Sequence, residues 1–243
     1  MTSLFRLGRH LAIASLAGVI SGFLVAGVLG RLAMRVAGFM SRPELIGVET
    51  ANGNRVGEIT FSGTIALAVF VGVGFGAVGA VLYAVAEPWL RGQRWKGLVF
   101  GGGLLLALGF TAIEASNFDF ERFGLAPLNV AMFALLFIAF GASIAFLFDA
   151  IRGIVEHRGT LSTAVEIVAW LAALGVVLLF VLQSFAAGGF DDLVGIIPIA
   201  VAILVPPIVR WRSLPRYVGY AAFGLPVVVG GIRTLTGVIQ LVD

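Results

Sequence analysis

The residues best equipped for chemistry in this chain are arginines. Arg31 and Arg35 stand four apart, Arg42 shares their face if the helix carrying them runs through Met40, and Arg233 interrupts an apolar stretch near the C-terminus. A guanidinium presents its N–H donors as a planar fork that matches carboxylate or phosphate oxygens, so Arg31, Arg35 and Arg233 are candidates for binding an anion or a lipid headgroup. A second role competes for the same groups. An arginine partway into lipid needs a partner, and Glu114, followed by Asn117, Asp119, Glu121 and Arg122, is the nearest carboxylate in depth, which makes Glu114 with Arg233 a candidate structural ion pair. Arg31 and Arg35 would then simply reach up to lipid phosphates.

Other chemistries are excluded by what is missing. Zero cysteines remove disulfides, iron–sulfur ligation and thiolate nucleophiles, and two histidines, His10 and His157, leave no basis for a metal or haem site. The single lysine, Lys96, falls in a loop, so a retinal Schiff base has no attachment point within a bundle. No two aspartates occupy facing positions inside apolar stretches, which removes an aspartyl protease dyad. No catalytic residue, metal ligand or cofactor-binding set is assigned, and the chain reads as non-enzymatic, with a lipid-acting enzyme built on Glu114, Asp119 and Glu121 as the last alternative.

The elements that must position these groups follow from composition. The 243 residues are 60% hydrophobic and 12% charged, with a mean hydropathy of +1.07. A soluble domain is nearer half apolar and a quarter charged. The expectation is an all-α, polytopic integral membrane helical bundle forming one domain over 1–243. Lipid offers no partners to the backbone, and continuous apolar runs of about 20 residues select helices over a barrel. Seven runs qualify: Leu11–Leu29, Phe61–Ala86, Gly97–Ala115, Leu128–Phe148, Ala164–Ala187, Leu193–Val209 and Tyr217–Leu241. Pro198 and Pro206-Pro207 make the sixth irregular and Arg233 interrupts the seventh, so six spans is the alternative count. Arg6 and Arg9 ahead of an apolar run also resemble a secretory signal, but the run is long and Arg31 and Arg35 follow where a small-residue cleavage site would be.

Orientation follows from the basic residues. With a cytoplasmic N-terminus the inner segments hold Arg6, Arg9, Arg91, Arg94, Lys96, Arg152, Arg158, Arg210, Arg212 and Arg216, ten of the sixteen, and the C-terminus falls outside. All four tryptophans and all three tyrosines, Tyr83 included, then lie near inner ends of spans, where amphipathic rings settle among headgroups. Trp89, Arg91, Arg94, Trp95 and Lys96 read as an anchor on anionic lipid. The basic residues are scattered over short loops, so nucleic acid is not an expected partner. Anionic lipid headgroups are, and a second copy or another membrane protein is the further candidate.

Two packing features stand out. Gly18/Gly22 and Gly72/Gly76 have the four-residue spacing that lets helix backbones touch in lipid, where no hydrophobic drive operates between helices. Phe133, Phe137 and Phe140 form a stripe at helical spacing, readable as packing or as a greasy ligand groove. Alternating residues from Ile46 to Phe61 around Asn52-Gly53 predict a small β-hairpin in the first extracytoplasmic loop. Three functions stay open: a small-solute permease of the inner (plasma) membrane as the leading reading, a non-catalytic partner or scaffold subunit, and a lipid-acting enzyme.

Overall fold

The computed structural model describes residues 3–41, 47–48, 63, 65, 67–111, 125–157, 159–186 and 216–242. The expected hairpin over Ile46–Phe61 apart from Gly47 and Val48, all of the expected sixth span Leu193–Val209, and Arg42, Glu114, Asp119, Glu121 and Arg122 lie outside them. The described residues are helical and contain no strand. Helix α1 (Ser3–Gly22) continues through a π-helical segment (Phe23–Leu29) into α2 (Gly30–Phe39). A second π-helical segment (Leu67–Val73) leads into α3 (Gly74–Leu90). Then come α4 (Lys96–Leu108), with a 3-10 turn to Thr111, α5 (Ala126–Glu156), α6 (Thr160–Ala186) and α7 (Arg216–Val242).

Among the described residues three helical stretches, Phe5–Phe39, Ala126–Glu156 and Thr160–Leu179, are long and apolar enough to cross a membrane, and α3 and α4 are shorter apolar helices. The first of them contains the expected apolar run Leu11–Leu29 and continues past it: its 35 residues would rise about 52 Å as a helix, longer than a hydrocarbon core of about 30 Å, and Arg31 and Arg35 stand on its upper part.

Local chemistry sets the other ends. Gly92, at φ +83°, takes the left-handed conformation that turns the chain out of α3, and Lys96 begins α4 four residues on. Leu125 is extended and Pro127 occupies the first turn of α5, where its missing N–H costs nothing.

Small residues decide which helices meet. At Gly18 a Cβ would strike the backbone of Gly76 and the side chain of Ala80, and at Gly22 it would strike Gly72 and Gly76, so α1 and α3 lie backbone to backbone and run antiparallel. The glycines of the four-residue pairs are thus the contact points. Past them the two π-helical segments pack on each other, with Gly27 against Ala68. Gly97, Gly101 and Gly141 join α4 to α5 in the same antiparallel way. Gly230 meets Ala107 and Thr234 meets Gly109, so α7 lies alongside α4 in the same direction. The core between these seams is filled by Tyr83, Phe100, Phe140, Ile144 and Phe148. Tyr83 corrects the aromatic expectation: it is wholly buried, edge-on to Phe100 and Phe148, rather than placed among headgroups.

Candidate functional site

Two ends of the bundle carry different chemistry. At the α2 end, an apolar cavity of about 140 Å³ opens between the first π-helical segment and α2, α3, α4 and α5. Val25, Gly30 and Met34 form one wall, Leu104 belongs to α4, and Phe133 and Phe137 of the sequence-predicted stripe form another. The stripe therefore lines a cleft as well as packing the core, where Phe140 lies against Gly79. A cleft of this size lined by aliphatic and aromatic carbon suits apolar groups of about the size of benzene.

Arg31 follows Gly30 on α2 but is not among the residues that line the cavity; by helical period it lies about 100° round from Gly30 and about 60° from Met34, to one side of the cleft wall. Its Nε atom is buried and has no hydrogen-bond partner among the described residues. Arg35, one turn further, is exposed, with its guanidinium carbon 5.6 Å from the centre of the Phe39 ring. The structure thus keeps Arg31 and Arg35 on one face of α2, beside the face that lines the cleft. Arg233 is found elsewhere, 5.5 Å over the Phe110 ring at the end of α4. That ring supplies a cation–π contact, and the expected partner Glu114 lies outside the described residues.

The opposite end holds a set of ion pairs that the sequence reading did not single out. Glu87, one turn after Tyr83, is 1% exposed. Its Oε1 accepts from Arg91 Nε at 3.1 Å and from Arg152 Nη1 at 3.4 Å, while Oε2 is buried without a partner among the described residues. Arg152 also donates to Glu156 at 2.7 Å, beyond the apolar run that ends at Phe148, and this hydrogen bond holds the exposed Glu156 carboxyl below its ordinary pKa. Lys96 Nζ donates to Asp149 at 2.6 Å, joining α4 to α5. Arg9 pairs with Glu166 at 3.1 Å and donates to the Val155 carbonyl at 2.6 Å, joining α1 to α6 and α5.

A backbone detail ties His10 into this end. Pro88 has no N–H, so the Ala84 carbonyl lacks its helical donor. The His10 Nε2 lies 3.1 Å from that oxygen, which makes Nε2 the protonated nitrogen, and the ring sits edge-on to Phe148 at 5.1 Å. The sequence signals for this site were Glu87 and Arg91 at i, i+4 and a proline one residue from the acid. They were hidden because Glu87 falls one residue beyond the apolar run and counts there as an ordinary loop charge.

Comparison with known protein families, with curated proteins and with solved structures finds no match to this chain.

Proposed function

We propose that this is a multi-pass membrane protein of the permease type whose ligand is apolar or amphiphilic, received in the cleft between α2, α3, α4 and α5. The observation that carries the reading is the wall of that cleft, built from carbon-bearing side chains and glycine, with no charged or polar side chain among the described residues that line it. A path for a polar solute needs donors and acceptors along it. Such a wall suits a hydrocarbon chain instead. The subunit alternative would be favoured by a small-residue seam left open on an outer face, whereas Gly18/Gly22 and Gly72/Gly76 are closed inside the chain.

The topology proposed with it is seven spans in the inner membrane, with a cytoplasmic N-terminus, a far-side C-terminus and a hairpin in the first far-side loop. The antiparallel pairs α1/α3 and α4/α5 and the parallel pair α4/α7 support it, because the third and seventh crossings of such a chain must share a direction.

The test uses the full chain exchanged into an amphipathic polymer, with thermal unfolding followed against added 1-decanol, glucose or succinate. The alcohol is expected to raise the midpoint and the polar solutes are not. Ala26→Phe and Leu82→Phe, which fill the cleft from two walls, should unfold cooperatively and lose the response. Stabilisation by a polar solute, or an equal alcohol response in both filled variants, overturns the reading.

A further inference from the structure

We infer that the ligand of this cleft is an anionic phospholipid, with its phosphate on Arg31 and Arg35 and the upper part of one acyl chain descending past Gly30 and Val25 toward Phe137. The inference rests on the apolar-ligand reading above and names the ligand class.

Three observations converge on it. The Arg31 Nε is covered and has no acceptor among the described residues, while the side chain as a whole is only part-buried, so it is the remaining N–H edge of the guanidinium that an acceptor from outside the chain would meet. Arg35 stands on the same face one turn away. Its contact with the Phe39 ring engages the flat face of the guanidinium and leaves the N–H edge to an anion. Depth agrees as well: the apolar run Leu11–Leu29 rises about 28 Å as a helix, close to one hydrocarbon thickness of about 30 Å. Arg31, two residues further, therefore comes to the level of lipid phosphates, with Met34 and Arg35 about 4.5 and 6 Å beyond it, and the wall from Val25 to Gly30 comes to that of the first chain carbons.

The cleft's size limits what enters. A volume of about 140 Å³ takes a segment of one chain and leaves the rest of the lipid in the bilayer. The headgroup then supplies the selectivity, since every phospholipid offers similar chains but differs in net charge.

The experiment compares short-chain phosphatidylglycerol with phosphatidylcholine of the same chains on delipidated full-length protein in the amphipathic polymer, reading the concentration for half-maximal thermal stabilisation. Charge-assisted hydrogen bonds of this kind correspond to about tenfold in affinity or more, so the anionic lipid should act at about tenfold lower concentration. Arg31→Gln with Arg35→Gln should erase that difference while the response to 1-decanol persists. Equal potency of the two lipids in the unmutated protein overturns the inference and, with the decanol response intact, leaves the cleft reading standing. So does decanoate matching phosphatidylglycerol, which would make the ligand a free carboxylate, or inorganic phosphate alone giving the full shift. Loss of stability in Arg31→Gln with an unchanged lipid preference would assign Arg31 to an internal pair and also refute it.

Discussion

Glu87 and Arg152 offer an asymmetry that a count of salt bridges would not anticipate. In Arg152→Gln the group left behind is a carboxylate whose side chain is 2% exposed, retaining only Arg91. Stranding one member of a buried pair costs about 3–5 kcal/mol. With Arg91 still at 3.1 Å the expected loss is about 2–3 kcal/mol. In Glu87→Gln the groups left behind are guanidiniums whose side chains are 33% and 55% exposed. They turn to water, and the amide oxygen still accepts, so the cost is about 1 kcal/mol or less. The double variant contains no stranded charge and should resemble Glu87→Gln, which gives a coupling of about 2 kcal/mol where independent sites would add. Denaturant unfolding in detergent micelles measures all three, with Glu156→Gln as the control for the exposed pair that Arg152 also makes. A Glu87→Gln loss equal to or larger than that of Arg152→Gln, or additive behaviour of the double variant, would refute the reasoning.

Three further outcomes are expected. His10→Ala strands the Ala84 carbonyl and should cost about 1–3 kcal/mol; Pro88→Ala restores a helical donor and should remove most of that loss when the two are combined, and the same unfolding measurement shows whether it does. Gly141→Ala places a methyl on the backbone of Gly101 and should destabilise by about 1–3 kcal/mol, whereas Gly103→Ala meets nothing within 4 Å and should be neutral or gain up to about 1 kcal/mol from helix propensity. Compartment reporters fused at Lys96 and at Asp119 should read opposite sides of the membrane, and agreement between them would remove the proposed topology.

How far the sequence foretold this differs by feature. The helices overlap six of the apolar runs because lipid-compatible length is a property of consecutive residues, and consecutive residues are what a sequence displays. That Gly18/Gly22 and Gly72/Gly76 mark points of close helix approach was legible from their four-residue spacing, but that they meet each other was not, because spacing within one helix does not name its partner. The cleft was not, since Phe133 and Phe137 look the same whether they fill space or border it, and only the placement of α2 and α4 decides. The two π-helical segments were equally hidden, because an all-apolar run carries no period from which a change of helical pitch could be read. Glu87 escaped for an electrostatic reason. A carboxylate beside an apolar run is judged by its sequence neighbours, but its burial is set by Arg152, 65 residues away along the chain.

The glycine seams have a bearing on how the protein is made. α1 and α3 are close in chain order, as are α4 and α5, and each pair is held by short-range contact that requires no third helix. During synthesis each hairpin can therefore lock soon after it leaves the translocation machinery, and a nascent chain halted downstream of Leu90 should already hold Gly22 beside Gly72, which cysteines placed on the two helices would report. The ring of charges from Arg9 to Glu166 draws on helices completed at very different times and so acts as the final latch.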